Sequence, residues 1–279
     1  MSVAGAPSRP AIRYYGSKWT AAPRIIAQFP VHECYVEPFG GGASVLLRKQ
    51  PSPVEVYNDL DHRVVRFFRV LRERAEDLVR AIELTPYSRQ ESREARQGLD
   101  TEDDLEAARR FYVAAVQGRG GAVSQWSRGW RYHRTVAQDN SYDSIREWNT
   151  IDHLYAVARR LKSVYIECEP ALTVIGRFDG ADTLFYVDPP YVQASVSRSA
   201  RKSYSHEMDD QAHRELAEAL HRIKGMAVVS GYESTLYEEL FSGWELVRWK
   251  QRDGVGRDKV ECLWLSPAAV ARGTQPRLF

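Results

Sequence analysis

Apolar and polar positions follow two rhythms along this chain. Short, nearly unbroken apolar runs recur at Cys34-Tyr35-Val36-Glu37, Val54-Glu55-Val56-Tyr57, Val164-Tyr165-Ile166, Leu184-Phe185-Tyr186-Val187 and Ala227-Val228-Val229-Ser230. Runs of this length, bounded by Pro, Gly, Asn or Asp, predict strands, and Leu184 to Val187, the most apolar, a buried one. Two later stretches, Trp244 to Trp249 and Val260 to Leu265, predict an antiparallel pair. Between the strands the apolar positions take helical spacing. Ala43 to Leu47 begins one helix, and Val64, Phe67, Phe68, Leu71, Leu78, Val79 and Ile82 predict another starting at Asp61. A third starts near Thr101, with Asp104 three residues on as a capping box, and runs through Leu105, Ala108, Tyr112, Ala115 and Val116. Further helices span Ile151 to Leu161 and Ala212 to Ile223, the latter ended by Gly225.

Strands alternating with helices predict an α/β fold, a Rossmann-like sheet with helices on both faces. The segment from 65 to 150 is helical or irregular and reads as an insertion. The expected organisation is a core domain from 1–64 and 151–267, an inserted, mostly helical and loop domain over 65–150, and a flexible tail over 268–279.

The chain has 279 residues and a formal net charge of +2, which points only weakly to a polyanionic partner. Distribution says more than the total. Arg119, Arg128, Arg131, His133 and Arg134 fall in an acid-free stretch with Trp126, Trp130 and Tyr132 interleaved. A second acid-free stretch carries Arg198, Arg201, Lys202 and His206 around Tyr204. Basic groups for phosphates with aromatics for stacking suit nucleic-acid contact, while a solvated charged face is the plainer alternative. Cys34, Cys168 and Cys262 form no CxxC pair and read as buried thiols of a reducing cytoplasm. The histidines show no metal-ligand spacing, so no metal is expected. No apolar stretch reaches the length of a membrane span, and Met1 to Pro10 lacks the apolar core of a signal peptide.

The sharpest chemical signal is Asp188-Pro189-Pro190-Tyr191 at the end of the most apolar run. Two prolines cannot continue a ladder, so the strand must stop at Asp188. That leaves an acid, a stiff kink and an aromatic ring at the carboxyl edge of the sheet, where ligands bind in open α/β folds. The acid can accept hydrogen bonds from an amino group, the proline carbonyls can accept more, and Tyr191 can stack on a flat ring. The turn Glu37-Pro38-Phe39-Gly40-Gly41-Gly42 lies between a strand and a helix, where backbone N–H groups can meet a ligand closely. It is not the dinucleotide fingerprint, which would need glycine at the position of Val45. Asp59, with Asp61 nearby, follows the second strand about twenty residues past the turn, a spacing suited to a ribose diol. Turn and acid together point to a nucleoside-bearing cofactor.

Four runs in this order resemble the Dam-like DNA adenine methyltransferases, which use S-adenosylmethionine. They are Tyr14-Tyr15-Gly16-Ser17-Lys18, Glu37-Pro38-Phe39-Gly40-Gly41, Asn58-Asp59-Leu60-Asp61 and Asp188-Pro189-Pro190-Tyr191, with lesser similarity at Ser230-Gly231-Tyr232 and Glu261-Cys262-Leu263-Trp264. The resemblance implies methylation of adenine N6 in double-stranded DNA, with the base flipped out of the helix. It makes Tyr14, Lys18 and Asp59 cofactor contacts and sets Asp188, Pro189 and Tyr191 at the target amine, Asp188 also touching the cofactor. Glu37, Phe39 and Gly41 would complete the cofactor pocket, Glu37 and Phe39 having plain structural readings as well. Arg119, Arg128, Arg131, Arg134, Arg201 and Lys202 would meet DNA. Ala43 stands where many relatives have a second glycine, and Trp19 follows Lys18 in place of a smaller or tyrosyl residue. The loop from Gln117 to Arg134 lacks the R-x-N and N-V-P patterns of the GATC-recognising members, so the recognition sequence does not carry over. Methylation of cytosine N4 or of a protein glutamine stays open, as does a non-catalytic DNA-binding relative. The terminus Gln275-Pro276-Arg277-Leu278-Phe279 resembles the Q-x-x-L-F peptides that dock on the bacterial sliding clamp, through Gln275, Leu278 and Phe279. The expected location is the cytoplasm, at the nucleoid.

Overall fold

The computed structural model describes residues 7–119, 123, 129–132, 144–192, 208–252 and 258–274. Two compact units emerge. One draws on Thr20–Gly40, Lys49–Leu60 and the chain from Val164 onward; the other draws on the chain up to Trp19, Gly41–Arg48 and Asp61–Ser163.

The first unit holds a seven-stranded sheet, so the expected α/β fold is observed. Its strands are β1 (Cys34–Glu37), β2 (Val54–Asn58), β3 (Tyr165–Glu167), β4 (Thr183–Val187), β5 (Met226–Gly231), β6 (Glu245–Arg252) and β7 (Asp258–Leu265). They lie in the order β3-β2-β1-β4-β5-β7-β6. The first five are parallel, and β7 runs antiparallel between β5 and β6. All five residues of β4 are buried, as an unbroken apolar run in a central parallel strand demands. The chain steps outward from β1 through β2 to β3, then returns to place β4 on the other side of β1. That reversal between β1 and β4 is the topological switch point, and the crevice beyond the strand ends there is where such sheets take ligands. Val36, Phe185, Val187, Ala227, Val229 and Trp264 centre a core completed by α9 (Ala171–Phe178), α10 (Asp210–Arg222) and α11 (Thr235–Leu240), in a numbering that runs through both units.

The second unit is helical. It contains α2 (Ser44–Arg48), α3 (His62–Glu73), α4 (Ala75–Glu83), α5 (Arg89–Gln97), α6 (Asp104–Gln117), α7 (Ser144–Trp148) and α8 (His153–Leu161). Phe67 of α3 packs on Phe111 and Tyr112 of α6, and Tyr112 meets Trp148. The single helix expected from Asp61 to Ile82 is two. It breaks at Arg74, whose backbone leaves the helical region (φ −134°, ψ 46°) so that α3 and α4 can both lie against α6. The α6 cap is Asp103, two residues beyond the expected Thr101: its carboxylate accepts from the N–H groups of Leu105 and Glu106 at 2.9 and 3.2 Å.

Two further expectations need correction. Residues 268–272, read as part of a flexible tail, belong to the helix α12 (Pro267–Arg272). Pro267 occupies its first turn, where a missing N–H costs nothing, and the Ser266 hydroxyl accepts from Ala269 N–H as the cap. Of the three cysteines only Cys262 is buried; Cys34 is half-buried, and Cys168 is exposed just past the edge strand β3. Arg128, Arg134, Arg201, Lys202, Gln275, Leu278 and Phe279 lie outside the described residues. Among the described residues no helix is long and apolar enough to cross a membrane, and no group of His, Cys, Asp and Glu is arranged to hold a metal ion.

Candidate functional site

At the carboxyl ends of β1 and β2 the backbone is tied into a fixed edge. Gly40 N–H donates to the Asn58 carbonyl at 2.7 Å. The fully buried Asn58 side chain donates to the carbonyls of Pro38 and Glu169, and its oxygen accepts from Glu169 N–H, each at 2.9 Å. One amide therefore joins the turn after β1, the end of β2 and the loop after β3. It also fixes the strand end from which the half-buried Asp59 projects. Gly40 is required on steric grounds, because a Cβ there would lie 2.3 Å from a ring carbon of Tyr57 and 3.0 Å from the Asn58 carbonyl oxygen. Glu37 is buried and accepts from the Tyr35 hydroxyl at 2.7 Å. Burial and the Glu37 charge hold the Tyr35 phenol well above its usual pKa, so it remains a donor. Phe39 packs partly buried against the sheet core, as its plainer reading has it.

The end of β4 lies next to this edge, at the switch point. Asp188 is half-buried, and its Oδ1 accepts from the Ser230 hydroxyl of β5 at 2.6 Å. Pro189 is buried and ends the ladder. The Tyr191 hydroxyl donates to the buried Glu261 carboxylate of β7 at 3.2 Å. Its ring meets Tyr232 edge-on, with centroids 4.5 Å apart. An acid and a flat aromatic ring thus stand three residues apart on a kinked segment, each held by a neighbouring strand.

In the helical unit, two of the motif runs meet. The turn at Gly41 and Gly42 lies against the Tyr14 ring and Cβ, and Ser17 and Ser44 share a hydrogen bond of 2.7 Å. Gly41 and Ala43 both have positive φ, +47° and +53°. Ala43 therefore adopts, at some strain, the left-handed conformation that the glycine of many relatives would take freely. Lys18 is buried and donates to the Gly16 carbonyl at 3.2 Å. Asp61 caps α3 and grips the Arg63 guanidinium with both oxygens at 2.8 Å.

The basic, aromatic stretch also takes shape in the helical unit. Residues 117–119 and 129–131 pair as antiparallel backbone, bridged at Gly118 and Trp130. Trp130 and Tyr132 stack with centroids 5.6 Å apart. Arg89, at the start of α5, sits over both rings, at 4.7 and 5.3 Å, and Arg119 lies 5.8 Å from the Tyr132 ring. Tyr132, Arg89 and Arg119 are exposed. Arg131 instead forms an ion pair with Glu147 at 2.6 Å and has only 11% of its side chain exposed. Arg89 went unread in the sequence because it lies 41 positions before Trp130; Asn58 and Ser230 stood in motif runs, but their supporting roles did not show because their partners are distant in the chain.

A switch-point sheet with an antiparallel β7 carries an acid and prolines at the end of β4 and a glycine turn after β1, at the edge where such sheets take ligands. The family model for D12 class N6 adenine-specific DNA methyltransferases matches residues 14–255, and the chain belongs to that family. Similar proteins include the DNA adenine methylase of Salmonella typhi, 24% identical over 248 residues, and that of Escherichia coli K12, 23% identical over 242 residues. Each alignment covers 84% of this chain and 84% of the relative. The chain is accordingly an adenine-specific DNA methyltransferase acting on N6.

Proposed function

We propose that this enzyme takes its methyl group from S-adenosylmethionine and turns the target adenine out of duplex DNA to meet it. The donor set fits such a cofactor. The ends of the adjacent strands β1 and β2 supply two carboxylates, Glu37 and Asp59, suited to a cationic amino acid and a ribose diol. Within the helical unit Tyr14 lies against the turn at Gly41 and Lys18 is buried, and the family resemblance gives these three residues to the cofactor. When bound, S-adenosylmethionine supplies an electrophilic sulfonium methyl.

The remaining work falls to the chain. The exocyclic amino group of adenine is a poor nucleophile because its lone pair is delocalised into the ring. Asp188 and the Pro189 carbonyl would accept its two N–H bonds and draw the nitrogen toward tetrahedral geometry, localising the lone pair. As the new N–C bond formed and the S–CH3 bond broke, a neutral thioether would leave and the surplus amine proton would pass by way of the Asp188 carboxylate to solvent. The contribution is positioning and electrostatics. Tyr191 stacks on the extruded base and offsets part of an unstacking cost of a few kcal/mol. Arg89 and Arg119, with Tyr132 exposed between them, grip the DNA backbone, joined by Arg128, Arg134, Arg201 and Lys202. The observation that carries this reading is Asp188, held by Ser230 at the end of β4 beside the switch point.

The test is transfer of labelled methyl from S-adenosylmethionine to duplex DNA, with N6-methyladenine identified in the product. A 2-aminopurine at the target position should brighten on binding if the base leaves the stack. Calorimetry should show Asp59→Ala weakening cofactor binding much more than DNA binding; unchanged cofactor affinity would remove the ribose role from Asp59. The tail Gln275–Phe279 is proposed to dock on a bacterial sliding clamp, Leu278 and Phe279 filling an apolar pocket and Gln275 bonding at its rim. Clamp should be retained by the full chain and lost on truncation after Thr274; equal retention by both would overturn the docking. Such docking would keep the enzyme with DNA in the cytoplasm, at the nucleoid.

A further inference from the structure

We infer that Ser230 and Tyr186 form a one-way hydrogen-bond chain that sets the orientation of Asp188 for methyl transfer. The inference rests on the function proposed above and assigns two positioning residues to it. Tyr186 and Asp188 are two positions apart, so they project from the same side of the β4 line. Parallel pairing of Val187 with Val229 brings Ser230 alongside Asp188. Ser230 is 1% exposed, and its hydroxyl has one proton, which goes to Asp188 Oδ1 at 2.6 Å. An ionised carboxylate only accepts, so the 3.2 Å contact between Ser230 Oγ and the Tyr186 hydroxyl must have Tyr186 as donor. The direction of the whole chain follows: Tyr186 to Ser230 to Asp188.

Nothing in this chain can reverse under working conditions. The Tyr186 phenol is fully buried, and burial, then the nearby Asp188 charge, push its pKa well above the usual value. It therefore keeps its proton and always donates. Ser230 lies inside the sheet, on β5 between β4 and β7, and is buried from water. A carboxylate beyond the end of a strand would otherwise turn about two side-chain bonds. Fixing one oxygen from a buried donor restricts the whole group to one orientation before substrate arrives, which is preorganisation of the kind that lowers a barrier without affecting ground-state binding.

The experiment measures kcat and KM for methyl transfer in Ser230→Ala, Ser230→Cys, Tyr186→Phe and the Ser230→Ala/Tyr186→Phe pair. Melting temperature and DNA affinity are measured alongside. Ser230→Ala should lower kcat about ten- to a hundredfold, the range set by a hydrogen bond to a charged group, with KM values within about twofold of the parent. Ser230→Cys fills the same space with a weak donor and should lose nearly as much, which separates the hydrogen bond from packing. Tyr186→Phe should lose less, about three- to tenfold, because its effect reaches Asp188 only through Ser230. For the same reason the double variant should be no slower than Ser230→Ala, whereas independent roles would multiply. A cysteine or alanine variant that keeps parental kcat overturns the inference, as does a double variant showing the product of the single losses. If the parent is active and Asp188→Ala is dead, those outcomes refute the chain alone. A parent with no transfer to adenine refutes the proposed function and this inference together.

Discussion

Replacing Asp188 by alanine separates catalysis from stability more clearly than any other single change. The substitution removes the acceptor of the 2.6 Å bond from the hydroxyl of Ser230, a residue that is 1% exposed. A buried donor left without a partner costs about 1–3 kcal/mol. Against that, one negative charge leaves a neighbourhood in which Glu37 and Glu261 also act on the Tyr186 phenol, and relief of that repulsion offsets part of the loss. The net cost should fall at the low end, about 1 kcal/mol, or a melting shift of roughly 2–4 °C in a protein of this size. The protein stays folded. Methyl transfer should nevertheless fall by about two to four decades, the contribution of a positioned acid–base group, or about 2.7–5.4 kcal/mol of barrier. The assay is single-turnover transfer of labelled methyl to saturating duplex, with melting and DNA affinity measured on the same preparation. Loss of activity with the melting point nearly unchanged and DNA affinity within about threefold is the expected pattern. A folded variant that retained activity within about tenfold would refute the role given to Asp188.

Three other changes probe the surrounding structure. Gly40→Ala places a methyl 2.3 Å from the Tyr57 ring and should cost about 1–3 kcal/mol by overpacking while weakening cofactor binding; unchanged melting would show that the turn can yield. Replacing Arg89 and Arg119 together should lower DNA affinity and reduce the log–log salt slope by about two, near 0.9 per phosphate contact; an unchanged slope would return the Arg–aromatic stack to surface packing. Glu106 is held down to about 2, first by the Arg109 hydrogen bond, so its stabilising contribution is complete above the ordinary carboxylate range and is lost as pH falls toward 2. The melting difference between the parent and Glu106→Gln should therefore be largest above about pH 5 and close on acidification; a difference that widened toward low pH would contradict the assignment.

What could be read from the sequence was what the chain dictates locally. Every strand run appears in the sheet because a continuous apolar segment ended by Pro, Gly or Asn leaves little choice of structure, and Asp188 stands at a strand end because Pro189 and Pro190 permit nothing else. Local signals that went unread were present but masked by stronger habits. The nine residues of α5 are nearly all polar, yet Ser88 followed three residues on by Glu91 is a helix-start signature, and the Ser88 hydroxyl accepts from Gln90 and Glu91 N–H groups. The chain past Pro267 reads as tail, although Pro267 after Ser266 is a favourable first helical residue. The break at Arg74 was hidden because Leu71 and Leu78 keep the helical rhythm across it.

The supporting residues of the site were illegible for a different reason: they act across strands. Ser230 lies 42 positions from Asp188, Glu261 70 positions from Tyr191, and Glu169 111 positions from Asn58. No window of sequence contains such a pair. Yet once β4 and β5 are known to be parallel neighbours with Val187 opposite Val229, the residue beside Asp188 can only be Ser230. The two-residue strand period then brings in Tyr186 without further information. Register is thus the missing link between motif and mechanism: the motif names the acid, and the strand order names the hydroxyl that orients it.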